Sequence, residues 1–252
     1  MYSALYFSPW PIRIGFSFLF LILGLWFVLS GSYNLFLVSL ILISILTFLW
    51  ITDLNSENNK GYINRVELRL IKYGFLLFIL REVILFFSLF WCFFHSRLAA
   101  AVQRGGIWPP LGIIQIPCFG VPLVNTILLL LRGASLTWSH ASRGGDKQSR
   151  TIALFITIIL GVAFLILQGE EYATSAFRIS DSVYGRIFFL ATGFHGAHVF
   201  IGTVALIYAI VIKTCIDYYS NSLSFLFAAW YWHFVDVVWL FLFLCVYWWG
   251  GL

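Results

Sequence analysis

The chain has 252 residues, of which 62% are hydrophobic and only 10% are charged, against about 25% charged residues in ordinary soluble domains. This deficit argues strongly against a soluble protein. The formal net charge of +5 comes from basic residues in a few polar segments and forms no basic stripe, which sets nucleic-acid binding aside. Because one membrane span takes about 20 apolar residues, the length accommodates about seven spans and no extramembrane domain.

Seven apolar runs, bounded by charged residues, Pro or Gly, predict the spans. In chain order they cover roughly residues 14–30, 33–51, 70–94, 122–138, 152–168, 185–212 and 225–249. A backbone in lipid must satisfy its own hydrogen bonds, and the runs lack the alternating pattern of barrel strands. The predicted fold class is therefore an all-α membrane protein, a bundle of seven transmembrane helices.

The distribution of polar residues predicts the orientation and the organisation of these spans. Nine Lys and Arg residues lie in the N-terminal segment and the links after spans two, four and six, against four in the links on the other face. Basic links stay inside, so we expect the N-terminus inside and the C-terminus outside. Spans one and two are almost purely apolar, which predicts a two-helix unit (1–54) beside a five-helix unit (62–252), with the boundary near Asn55–Gly61.

Glu82 is an unusual residue because it lies deep inside the third apolar run. An ionised carboxylate at that depth costs several kcal/mol unless it is paired, hydrated or protonated. Two interpretations stay open. Glu82 is either a proton-exchanging or lipid-facing acid, or a structural carboxylate paired with Arg81 or hydrogen-bonded to a neighbouring helix. Arg81 is an awkward partner, since adjacent residues point in different directions on a helix.

Two pairs of polar residues share helical faces at a spacing of three: His195 with His198, and His233 with Asp236. The first pair can seat a metal or form hydrogen bonds to a facing helix, and the candidates for further metal ligands are Glu170, Glu171, His233 and Asp236. In the second pair the carboxylate can orient the imidazole, or the two can form a buried structural pair. We favour structural hydrogen bonding, because no cysteine or third histidine shares the first face and no nucleophile or cofactor motif accompanies the second.

Several unusual strings occur in a fixed order along the chain. They are EV at 82–83, FWCFFHS at 90–96, VPLVNT at 121–126, TWSH at 137–140, QGEEY at 168–172, ISDSVYG at 179–185, ATGFHGAH at 191–198 and WYWHFVDVVW at 230–239. Together they resemble subunit III of cytochrome c oxidase. The resemblance covers essentially the whole chain and is strongest from the third span onward.

This resemblance implies a core subunit of the proton-pumping oxidase of the respiratory chain, folded as a two-helix and a five-helix unit around a V-shaped cleft that holds phospholipids. It implies no metal and no catalytic centre in this chain, with haem a and copper in partner subunits. The implied partners are subunit I as the main contact, subunit II and accessory subunits. The implied location is the mitochondrial inner membrane, with the N-terminus on the matrix side and the C-terminus on the intermembrane-space side.

The resemblance also assigns roles to individual residues. Glu82 matches the family's intramembrane, carbodiimide-reactive glutamate. The family's positions near the cleft lipids are matched here by four residues, Trp50, Glu57, Trp91 and His95. The expected lipids are cardiolipin, phosphatidylglycerol or phosphatidylethanolamine. A structural hydrogen-bond network between helices is expected to include Glu171, His195, His198, His233 and Asp236.

Four arginines depart from the family, which commonly has Ser at these positions: Arg81, Arg97, Arg132 and Arg186. Arg81 and Arg132 would be charges inside the bilayer, where they are costly. One hypothesis is that AGA and AGG codons, which some mitochondrial codes read as Ser, were translated as Arg. The single Met fits the same error, and the net charge would fall from +5 to +1.

Two other functions stay open. A stand-alone transporter could use Glu82 as its proton site, although the chain lacks the interrupted half-helices and paired repeats of many transport folds. The matching subunit of a quinol oxidase would share this fold and differ chiefly in its partners.

Overall fold

The computed structural model describes residues 8–61, 64–100, 106–142, 147–215 and 223–251, and a helix occupies every predicted span. The helices are α1 (Trp10–Leu29), α2 (Asn34–Asn59), α3 (Arg65–Leu98), α4 (Val121–Ala141), α5 (Lys147–Thr174), α6 (Val183–Cys215) and α7 (Leu223–Leu242). All seven are long and apolar enough to cross a membrane, and the described ranges contain no strand. The predicted all-α membrane protein with seven spans is confirmed.

The helices extend beyond the apolar runs that predicted them. α3 has 34 residues, which corresponds to about 51 Å at 1.5 Å per residue, whereas the hydrocarbon core of a bilayer is about 30 Å thick. Hydropathy marks where lipid begins, while the helical hydrogen bonds continue into the polar flanks. The spans are therefore predicted well by sequence, and the helix ends are not.

The chain divides into two compact units, Met1–Leu68 and Arg69–Leu252. In the first unit α1 and α2 pack closely, because a Cβ on Gly24 would lie 2.8 Å from the Cα of Phe36. Glycine is needed where helix backbones approach this closely. Nε1 of Trp10 donates a 2.8 Å hydrogen bond to Asp53 Oδ2, which joins the far ends of the hairpin.

In the second unit four helices form a closed ring, with contacts of α4 to α5, α5 to α6, α6 to α7 and α7 to α4. Large aromatic side chains fill its interior, among them Phe164, Trp232 and Trp239. α3 joins this ring through side chains, for example by stacking of Phe75 on Phe227 with centroids 4.4 Å apart. Most of the buried polar residues lie in this unit.

The C-terminal end of α7 departs from α-helical geometry. A π-helical segment, Phe243–Trp248, follows it and ends in a 3-10 turn, Trp249–Gly251. The wider π turn changes the register of the side chains, and Tyr247 within it is buried. This segment places a phenol against α5, where it meets an acid described below.

Candidate functional site

Glu82 lies at the midpoint of α3 and only 6% of its surface is exposed. Its Oε2 lies 3.1 Å from Nε2 of His198 on α6, and its Oε1 accepts a 2.5 Å hydrogen bond from Nη2 of Arg81. Both carboxyl oxygens therefore have partners deep inside a span. The two structural options raised by the sequence, pairing with Arg81 and bonding to a neighbouring helix, occur together.

The His198 ring determines how many protons this pair holds. Its Nδ1 lies 2.7 Å from the carbonyl oxygen of Phe194, and since a carbonyl only accepts, Nδ1 carries a proton. Nε2 then either donates a second proton to the Glu82 carboxylate or accepts the proton of a carboxylic acid. In both forms a single proton lies between Glu82 and His198.

Aromatic side chains enclose the imidazole of this pair. The His198 ring stacks on Tyr231 with centroids 5.9 Å apart, and Phe86 meets its edge at 5.1 Å. Unlike His198, Arg81 is not enclosed: 73% of its side chain is exposed, and its guanidinium lies 5.2 Å from the ring of Phe78. The pair is thus held on the protein side by aromatic contacts and bounded outside by the Arg81 side chain.

A second polar cluster surrounds Glu171 on α5, which is 3% exposed. Its Oε1 accepts hydrogen bonds from Tyr247 Oη at 2.6 Å and from Gln168 Nε2 at 3.4 Å. Oε1 of Gln168 in turn accepts from Nδ2 of Asn125 at 3.5 Å. Sequence reasoning missed Asn125, Gln168 and Tyr247 as members, although an Asn and a Gln inside apolar runs were a usable signal.

Two of the three remaining predicted network residues, His195 and Asp236, lie at the contacts of α6 and α4 with α7. His195 is fully buried, its Nε2 donates to the carbonyl of Val235 at 3.2 Å, and its Nδ1 has no hydrogen-bond partner among the described residues. Asp236 forms an ion pair with Arg132 of α4. His233 is exposed and faces away from the core.

The four residues predicted near lipids are all at least partly exposed. On α2, Trp50 is 41% exposed, and Glu57 is exposed beyond the apolar part of the helix, Asn34–Leu54. On α3, Trp91 is 64% exposed and His95 is also exposed. Trp91 and His95 are four residues apart and therefore share one helical face.

Metal binding was the alternative for the histidine pairs. Within the ranges that the structure describes, no group of three or more His, Cys, Asp or Glu side chains is arranged to hold a metal ion. His198 instead contacts Glu82, and His195 contacts a backbone carbonyl.

The surroundings of Arg132 are relevant to the hypothesis that some arginines in this sequence are mistranslated Ser codons. Its side chain is 1% exposed and its guanidinium lies 3.7 Å from the Trp232 ring centroid, while Nε and Nη1 have no hydrogen-bond partner in the described part of the chain. Unpaired donors of a buried cation are costly. The codon hypothesis predicts Ser masses at positions 81 and 132, measured on peptides of the purified protein, and no tryptic cleavage there. Cleavage after Arg150 serves as the control, and Arg masses at 81 and 132 would refute the hypothesis.

The sequence matches the family Cytochrome c oxidase subunit III over residues 1–251. Relatives named Cytochrome c oxidase subunit 3 include those of Ornithorhynchus anatinus and Paracentrotus lividus, each 46% identical over 249 residues, and of Arabidopsis thaliana, 45% identical over 252 residues. Each alignment covers 97% of this chain and 95% of the relative. The resemblance read from the sequence motifs is confirmed, and this multi-pass membrane chain belongs to the cytochrome c oxidase subunit III family.

Proposed function

We propose that the chain is a core subunit, without redox centres of its own, of a proton-pumping cytochrome c oxidase in the mitochondrial inner membrane. It packs on catalytic subunit I, with subunit II and accessory subunits as further partners, and those partners hold haem a and copper. The match of the family over residues 1–251 is the observation that carries this proposal. The excess of basic residues in one set of links supports an N-terminus on the matrix side and a C-terminus on the intermembrane-space side.

The Glu82–His198 pair supports a role in proton uptake. A single proton lies between the two groups, and its transfer between them changes the pair from acid and imidazole to carboxylate and imidazolium without changing the net charge. The site therefore holds a proton deep in a span at low electrostatic cost. In our proposal this pair assists proton delivery to the catalytic subunit and helps the complex to withstand turnover.

The exposed apolar surface supports phospholipid binding. Only 11%, 6% and 11% of the apolar spans of α1, α2 and α3 are buried within the chain, so lipid or protein must cover them in the membrane. Aromatic residues favour the interface level of a bilayer. We assign phospholipids, of the cardiolipin, phosphatidylglycerol or phosphatidylethanolamine type, to Trp50, Glu57, Trp91 and His95. Trp50 and Glu57 lie in the first compact unit, and Trp91 and His95 lie in the second.

Purification in mild detergent tests the proposed function. We expect haem a absorbance in the visible spectrum, together with co-eluting catalytic subunits and retained phospholipids in native mass spectrometry. A solitary, haem-free protein in several detergents would instead favour the transporter, with Glu82 as its proton site. A complex that oxidises quinol but not cytochrome c would identify the quinol oxidase subunit.

A further inference from the structure

The buried cluster around Glu171 has no part in the function proposed above. It joins three elements, because Asn125 lies on α4, Gln168 and Glu171 on α5, and Tyr247 in the π-helical segment. Two acceptor atoms of the cluster, Glu171 Oε2 and Asn125 Oδ1, are buried and have no hydrogen-bond partner among the described residues. Such atoms are uncommon in folded proteins and require an explanation.

The direction of the hydrogen bonds within the cluster is set by the phenol. Tyr247 Oη donates to Glu171 Oε1, so that oxygen acts as an acceptor, and Gln168 must turn its NH₂ group toward it. Oε1 of Gln168 then faces Asn125, which must also donate through its NH₂ group. Turning either amide around would bring two acceptors face to face. Asn125 Oδ1 is therefore the free end of this chain of bonds.

An ionised Glu171 would leave this cluster short of donors. Both oxygens of a carboxylate only accept, so Oε2 and Asn125 Oδ1 would be two buried acceptors with no donor between them. No Lys, Arg or His forms an ion pair with Glu171 in the part of the chain that the structure describes. The titratable groups near the carboxyl are tyrosines, namely Tyr172 on α5, Tyr184 on α6 and Tyr247, which supply no positive charge.

We propose that Glu171 is a carboxylic acid in the folded protein and that this cluster is a second proton-holding site, separate from Glu82. A proton on Oε2 turns that oxygen from an acceptor into a donor, and Asn125 Oδ1 is the acceptor available in the same cluster. One proton on Glu171 therefore supplies the donor that the cluster lacks and removes a buried charge.

The position of the cluster differs from that of Glu82. Glu171 lies three residues before the end of α5 at Thr174, and the adjacent Glu170 is exposed. The site is thus near one end of the bundle, whereas Glu82 lies at the midpoint of α3. The two sites therefore lie at different positions along their helices, and among the described residues no hydrogen bond joins the Glu171 cluster to the Glu82–His198 pair.

Infrared spectroscopy of the intact detergent-purified complex tests the proposal. We expect Glu171→Gln to remove one carbonyl-stretch band of a protonated carboxylic acid, a band that moves to lower frequency in D₂O. Glu170→Gln is the matched control, and it should remove carboxylate absorption only. If Glu171→Gln also removes only carboxylate absorption and leaves the protonated-acid region unchanged, the proposal is wrong.

A conservative second variant covers the case in which Glu171→Gln does not assemble. Tyr247→Phe keeps the ring and removes the phenol that donates to the carboxyl oxygen, so the same band should shift to higher frequency and keep its intensity. An unshifted protonated-acid region in Tyr247→Phe would show that Glu171 holds no proton. Neither infrared measurement depends on oxidase activity. The proposal of a proton on Glu171 can therefore be disproved without affecting the proposed function, and the reverse also holds.

Discussion

Glu82→Gln is expected to abolish labelling of the chain by a hydrophobic carbodiimide. These reagents add to protonated carboxyl groups in apolar surroundings, and Glu82 shares a single proton with His198 in the middle of a span. Incorporation of reagent, mapped by mass spectrometry of peptides from treated membranes, is the measurement. The amide of Gln has the same shape and cannot react, so the expected effect is a complete loss of label at position 82.

Glu170→Gln provides the control for this experiment, because Glu170 is an exposed acid at the end of α5. Its replacement should leave the labelling of Glu82 unchanged. Equal incorporation into the wild type and Glu82→Gln, with the label on another residue, would reject Glu82 as the reactive acid.

Trp232→Ala is expected to lower the free energy of unfolding by about 3–5 kcal/mol, which is typical of a large aromatic residue removed from a packed core. Trp232 is 1% exposed, and its Nε1 donates a 3.1 Å hydrogen bond to the Gly202 carbonyl on α6. The substitution would leave a cavity between α6 and α7 and would remove the indole hydrogen bond to the Gly202 carbonyl. Denaturation of the purified complex in mixed micelles measures the loss.

Two further variants, Gly202→Ala and Trp248→Ala, test whether the loss of stability in Trp232→Ala comes from packing between α6 and α7. A Cβ on Gly202 would lie 2.9 Å from the Trp232 ring, so Gly202→Ala should cost about 1–3 kcal/mol through overpacking. Trp248 is 50% exposed, and Trp248→Ala should change the stability of the chain much less. Equal losses from Trp232→Ala and Trp248→Ala would contradict the assignment of Trp232 to the core contact between α6 and α7.

The sequence by itself determined that seven helices cross a membrane and where their apolar centres lie. The reason is that lipid provides no hydrogen-bond partners, so a long apolar run has helix as its stable state. The depth of Glu82 in the third span was also evident from the sequence, because each residue advances an α-helix by a fixed rise. The helix ends were not predicted, since the backbone bonds continue past the apolar run.

The tertiary structure alone decided which polar groups meet. His198 lies 116 residues after Glu82 in the chain, and Tyr247 lies 76 residues after Glu171. Helical periodicity tells which residues share a face of one helix, but the facing helix and its rotation depend on how large side chains such as Trp232 pack in the ring of α4 to α7. The π-helical turn that brings Tyr247 to Glu171 has no signature in hydropathy, because it changes the register of the side chains and leaves their apolar character the same.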